Sequence, residues 1–190
     1  MHDFRPSCII VFVATLFLSS CVTYSLVPSG VVSVSTGYTV ETRIAWSKSI
    51  SNGSETWTLD GPGLQSAYFE NAIKDGDPLV PTEKGKEFTF KHDMGAIELR
   101  EFFMNSISTN DLTIVEEKTF EPAKIGTHEG YKSNIVFSFN GDGLLREGLY
   151  YLFVDDEKLF VLAYSGVNGV YFEKGADEFE AIVASLRFSS

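Results

Sequence analysis

Cysteine is nearly missing from this chain: Cys8 and Cys21 are the two it has, and residues 22–190 contain none. That absence excludes thiol catalysis, cysteine-ligated zinc and redox switching beyond residue 21, and leaves no disulfide to staple the fold. About 170 residues is enough for one domain to bury most of its apolar surface without staples. Histidine is scarce too, with His2, His92 and His128. Neither a Gly-x-Ser-x-Gly elbow nor a Ser-x-x-Lys motif occurs, so nucleophilic hydrolysis lacks recognisable machinery and no catalytic residue is assigned. Positive charge is outnumbered, 15 Lys and Arg against 26 Asp and Glu, for a net charge of −11. A surface of that sign repels phosphate backbones and no basic cluster interrupts it, which excludes nucleic acid as a partner. Attachment to anionic lipid through basic residues is excluded by the same argument. A long hydrophobic run is also missing: residues 8–18 make an apolar stretch of eleven, where a bilayer-crossing helix needs about twenty.

What stands at the N-terminus instead is a short apolar core behind a charged start. Arg5 and Asp3 precede the run, and Ser19 and Ser20 after it are small enough for a signal peptidase. That order has the form of a secretory signal rather than a membrane span. Leu18-Ser19-Ser20-Cys21 resembles the lipobox of bacterial lipoproteins, a Leu, two small residues and a Cys. The resemblance implies cleavage before Cys21, a diacylglycerol group on its thiol, and an acyl chain such as palmitate on the new amino group. Two or more chains hold a protein stably at a membrane, whereas one holds it marginally. The expected organisation is a lipoprotein signal peptide over 1–20, a flexible tether over 21–36 and a single domain over 37–190. Such a tether, uncharged and carrying Pro28-Ser29-Gly30, would reach at most about 50 Å at about 3.5 Å per residue. By the same resemblance, Val22 rather than Asp after the Cys points to the outer membrane, facing the periplasm, in a host with two membranes.

Beyond the tether, Tyr38, Val40, Thr42, Ile44 and Trp46 alternate with Thr39, Glu41, Arg43 and Ala45, the period-two pattern of a half-buried strand. Ser51-Asn52-Gly53-Ser54 makes a hairpin turn into a strand over 55–59. A second turn at Asp60-Gly61-Pro62-Gly63 leads to a strand over 64–72. Residues 74–91, crowded with Lys, Asp, Glu, Gly and Pro, form a long loop, of the length that is usually functional or mobile. Asp93 stands as an N-cap, and Ala96, Leu99, Phe102, Phe103 and Ile107 recur at helical spacing over 94–107. Four strands are expected over 112–120, 131–139, 145–153 and 159–165. Turn chemistry at Asn140-Gly141-Asp142-Gly143 and Asp155-Asp156-Glu157 makes the last three an antiparallel meander. Ala176, Phe179, Ile182, Val183 and Leu186 then stripe a closing helix, with Glu173, Asp177, Glu178 and Glu180 in its first turns, where negative charge suits the dipole.

Strands, helix, four strands, helix, without strict alternation, predict an α+β fold: a mainly antiparallel sheet with two amphipathic helices packed on it. The apolar hairpin of residues 149–154 and 159–164, followed by the helix ending Phe179-Glu180-Ala181-Ile182-Val183-Ala184-Ser185-Leu186-Arg187-Phe188, resembles the end of PsbP-like domains. That resemblance implies a sheet sandwiched by helices and a non-enzymatic binding or assembly-support role, and it carries no functional residue across.

His92-Asp93 and His128-Glu129 each set an imidazole beside a carboxylate, and would make a two-His, two-carboxylate metal site if their loops met. Neighbouring residues on a strand point to opposite faces, which splits each pair and favours no metal and no cofactor. Counting Gly143 as the sixth position of a calcium loop puts Leu149 at the twelfth, where a bidentate Glu is required, so 140–143 is a turn. Tyr150 and Leu152 face one side of the sheet, Tyr151 and Phe153 the other. Both faces therefore need a cover, or one is left as an apolar binding surface. The sequence thus predicts a non-enzymatic, lipid-anchored protein of the cell envelope, held at the membrane by Cys21, that binds a protein partner or supports assembly. The alternative is a carrier or binder of an apolar small molecule or lipid, distinguished by an aromatic-lined cavity of a few hundred cubic ångström.

Overall fold

Apolar residues at period two through most of the chain, and at helical period twice, dictate a sheet with two helical covers. The computed structural model describes residues 23–35, 37–80, 88–108 and 112–188, so the lipobox and Cys21 lie outside the described residues. In chain order the elements are β1 (Ser25–Val27), β2 (Gly30–Val34), β3 (Tyr38–Thr42), β4 (Trp46–Ser51), β5 (Ser54–Thr58), β6 (Gln65–Phe69) and β7 (Ile73–Lys74). Then come α1 (Ala96–Ile107), β8 (Leu112–Ile125), β9 (His128–Phe139), β10 (Leu145–Asp155), β11 (Lys158–Val167), α2 (Val170–Ala184) and β12 (Arg187–Phe188). The large sheet runs β1-β4-β5-β6-β11-β10-β9-β8, with β7 also on β11, and a small sheet runs β12-β3-β2. Every pairing is antiparallel. The fold is α+β, as the pattern predicts.

The central hairpin β10–β11 is apolar on both faces, which forces three layers. On one face Leu149, Tyr151, Phe153, Phe160, Leu162 and Tyr164 are buried under α2 and the small sheet. On the other, Leu152, Leu159 and Val161 are buried under α1 with Ile73 and Phe90. Fully burying side chains of this size contributes about 1.5–3 kcal/mol each. The β10–β11 turn keeps the register with Asp156 and Glu157 both at positive φ, 48° and 58°, the type I′ geometry that two-residue hairpins favour.

Three expectations need correction. Residues 25–34 are strands rather than tether: β1 pairs with β4 and β2 with β3, and Val27 and Val34 are buried. Uncharged Val and Ser suit a strand as well as a linker, and Pro28-Ser29-Gly30 is the turn between two strands. The alternating run over 38–46 is likewise two strands in different sheets, broken after Thr42. A buried carboxylate holds that break. Glu178 accepts from the Arg43 backbone N–H at 2.6 Å, from Arg43 Nε at 2.6 Å and from the Thr42 hydroxyl at 2.9 Å, while Trp46 Nε1 donates to the same hydroxyl at 3.0 Å. Glu178 therefore points into the core region and does not serve the helix dipole. The third correction is the α1 cap. Gly95 occupies it and its N–H donates to the Glu98 carboxylate at 2.9 Å, so Asp93 lies outside the helix.

β8 is a sheet edge, fourteen residues long, and its pairing to β9 slips between Ile114 and Glu116 and between Glu117 and Thr119. An Arg100–Glu117 ion pair fastens α1 to it. At its far end Gly126, at φ +58°, donates to the Val183 carbonyl at 3.0 Å, and a Cβ there would lie 2.1 Å from the Leu186 carbonyl oxygen. Replacing Gly126 by Ala therefore requires the hairpin to part from α2. Chemical denaturation should show both Gly126→Ala and Phe179→Ala destabilised, the latter by about 3–5 kcal/mol because its ring is fully buried. A Phe179→Ala loss below about 1 kcal/mol would contradict this packing.

Candidate functional site

The two faces of the large sheet are covered unequally. Eight strands side by side at about 4.8 Å span about 34 Å, whereas α1, with twelve residues, is about 18 Å long. Leu99, Phe102 and Phe103 close the core beneath α1. Towards its C-terminal end, among the described residues, a cleft of about 510 Å³ lies on the sheet. Phe103 and Ile107 form the helix wall; Val161, Ala163 and Ser165 of β11 and Tyr150 of β10 form the floor; Phe137 and Phe139 of β9 and Leu112 of β8 close one side. Leu79 and Val80, from the long loop the sequence marks, add apolar surface opposite.

The hollow exists because the floor is made of small residues. Ala163 and Ser165 stand where larger side chains would fill the space. Gly148 does the same for its neighbour, since a Cβ on it would meet Tyr150 Cε2 at 2.6 Å. Tyr150 can thus lie down on the sheet, its ring 5.0 Å from that of Phe103. Phe137 and Phe139 meet edge to face at 5.5 Å, a favourable aromatic geometry. Burial, helped by neighbouring Tyr68, pushes the Tyr150 phenol well above its ordinary pKa, so it stays a neutral hydroxyl. Among the described residues it has no hydrogen-bond partner.

Tyr68 and Glu70 of the β6 region sit at one end of the cleft and also line a second hollow of about 480 Å³ with Leu79, Asn52, Asn71 and Asp77. The Glu70 carboxylate accepts from Ser54 Oγ at 2.8 Å. The two hollows share Tyr68, Glu70 and Leu79 and read together as a groove, strongly apolar at the α1 end and more polar past Glu70.

The histidines do not contribute to it. His92 Nδ1 is 3.1 Å from Asp75, whose same oxygen accepts the His92 backbone N–H at 2.9 Å, and Lys91 is 3.2 Å from the other oxygen. His128 Nε2 is 3.5 Å from Asp155, and its ring packs on Phe153 and Phe188 at 5.0 and 5.2 Å. Each imidazole has its own carboxylate, and neither is the sequence neighbour Asp93 or Glu129. Among the described residues no three His, Cys, Asp or Glu side chains are grouped to hold a metal ion. Asp142 accepts from the Leu144 N–H at 2.9 Å and pairs with Arg146 at 2.6 Å, which makes 140–143 a braced turn. Tyr150 and Tyr151 face opposite sides, as expected. Glu70 carries no signal in the sequence, because the fold alone brings it to the cleft.

No protein-family model matches this chain, and no curated protein matches it either. Among solved structures the chain is similar to a Bacteroides thetaiotaomicron protein, with a TM-score of 0.50 and 15% identity over 86% of this chain and 50% of that one. This chain therefore spans half the length of that neighbour. It is also similar to cyanobacterial PsbP (CyanoP) from Synechocystis, with a TM-score of 0.47 and 14% identity over 93% of this chain and 99% of that one. At such identities the likeness is one of fold.

The Asp75–His92 pair predicts a pH dependence. The backbone N–H of His92, then its ring, hold Asp75 down to about 2, and Asp75 in turn raises His92 above its ordinary value. A raised His92 stabilises fully below its unfolded pKa, and that contribution is lost as pH rises through the folded one; a depressed Asp75 stabilises above its unfolded pKa and is lost as pH falls toward about 2. NMR titration should place the His92 midpoint above 6.5, and Asp75→Asn should bring it down; an unchanged midpoint in that variant would refute the pairing.

Proposed function

We propose that this chain is a lipid-anchored, non-catalytic binding protein of the cell envelope, and that the cleft beside α1 takes an apolar small molecule or lipid. The observation that carries this reading is the cleft itself, about 510 Å³ and walled by Phe103, Phe137, Phe139 and Tyr150. Ligand sites are concave, mostly apolar and of about 300–1,000 Å³. Among the described residues around it no nucleophile stands with a histidine base, since His92 and His128 are engaged elsewhere. A second reading, a protein partner on the same face, draws support from exposed Phe139 and Leu144 at the β9–β10 end of the sheet. The anchor rests on Leu18-Ser19-Ser20-Cys21 and on the absence of a basic surface that could replace it.

Mass spectrometry of the mature N-terminus tests the anchor: the expected first residue is an acylated Cys21, and a chain retaining 1–20 or bare at Cys21 defeats it. The cleft is tested by photolabelling the full chain, held in phosphatidylcholine nanodiscs, with a small uncharged phenyldiazirine. Saturable label is expected on the peptides carrying Phe137 and Tyr150, and Ser165→Trp, which fills the floor, should remove most of it. Label absent from those peptides, or indifferent to Ser165→Trp, overturns the ligand-binding reading.

A further inference from the structure

The groove has a charge as well as a shape. Its apolar half carries one ionisable acid, Glu70, and its polar half adds Asp77; neither half is lined by a Lys, Arg or His among the described residues. The described acids near basic side chains are paired by them: Asp75 with Lys91, Glu117 with Arg100, Glu147 with Lys118, Asp142 with Arg146. Glu70 is half-buried yet meets only the Ser54 hydroxyl, and no cation lies within ion-pair distance of it among the described residues. A partly desolvated carboxylate without a counter-charge is a cost that an incoming cation removes.

The rings beside it point the same way. An aromatic face carries negative charge density and attracts ammonium groups, most strongly where water is excluded. Tyr68 lies next to Glu70 at the junction of the two halves, and Phe103, Phe137, Phe139 and Tyr150 line the apolar half. A carboxylate or phosphate headgroup would find no basic partner among the described lining residues and would approach a molecule of net charge −11, whereas the same field draws cations in.

We infer that the groove binds an amphiphilic organic cation, its apolar part against Ile107, Leu112, Phe139 and Tyr150 and its ammonium group at Tyr68 and Glu70. This inference rests on the cleft being a ligand site and adds the chemical class of the ligand. The recognition is charge-selective: a neutral molecule of the same shape gains the apolar contacts and loses the ion pair and the cation–π attraction.

The test compares three probes of one chain length, hexyltrimethylammonium, 1-hexanol and hexanoate, by the concentration at which each halves the cleft's photolabel in the same nanodiscs. Hexyltrimethylammonium should protect at about tenfold lower concentration than 1-hexanol, with hexanoate weakest. Glu70→Gln should bring the ammonium and the alcohol to nearly equal midpoints, by weakening protection by the ammonium about tenfold. If 1-hexanol or hexanoate protects as well as the cation, or Glu70→Gln leaves the preference intact, the cation inference falls and the apolar cleft stands. If the Phe137 and Tyr150 peptides take no label at all, both fall together.

Discussion

Everything in this molecule follows from a hairpin that has no polar face. β10 and β11 are the centre of the large sheet, and their side chains are apolar above and below. A sheet of that kind exposes one oily surface unless two covers are found. One cover is ample: α2 and the small sheet together seal Tyr151, Phe153, Leu162 and Tyr164. The other is α1 alone, and it is too short. The cleft is the part of the second face that the helix fails to reach, so fold and candidate site have a single origin.

The ampler cover is also the more firmly attached. The small sheet is drawn from chain segments far apart in sequence, β2 and β3 near the start and β12 at the end. Glu178 joins them to α2 through Thr42 and Arg43. Removing one partner of a buried carboxylate leaves a charge without compensation, which is why such a contact defines one arrangement sharply even where its net contribution to stability is small. α1, by contrast, is held through its apolar face and, among the described residues, by an ion pair to β8.

The sequence made the elements legible and left the space between them illegible. Alternation and turn chemistry located β5, β6 and β8 to β11 and the stripes located both helices, because those patterns are local; β4 was merged into the run before it and β7 was read as loop. The run over 38–46 misled for the same reason: period two reports that residues face alternately, and says nothing of which sheet they join, so the break at Thr42 was invisible. The N-terminal strands were hidden by composition, since Val and Ser without charge describe a linker and an edge strand equally. Tyr150 was identifiable as facing away from Tyr151. The cleft was not, because it is built from missing volume at Gly148, Ala163 and Ser165 on neighbouring strands, and from the end of a helix. Glu70 became meaningful only when β6 set it beside Tyr68 at the groove's midpoint.

The folding of residues 25–34 changes the mechanics of any attachment at Cys21. Ser25 already belongs to β1, so the sequence between Cys21 and the first strand could span at most about 14 Å, not about 50 Å. Under the proposed anchor, a leash that short would keep the β1 side of the sheet nearest the surface and restrict the domain to a narrow cone of orientations. Tyr24 and Leu26, both exposed, would be the first side chains to meet the headgroups, and an amphipathic ring is suited to that depth. Collisions with other surface-bound molecules would then be two-dimensional and orientation-dependent, a constraint that three residues would impose on a domain many times their size.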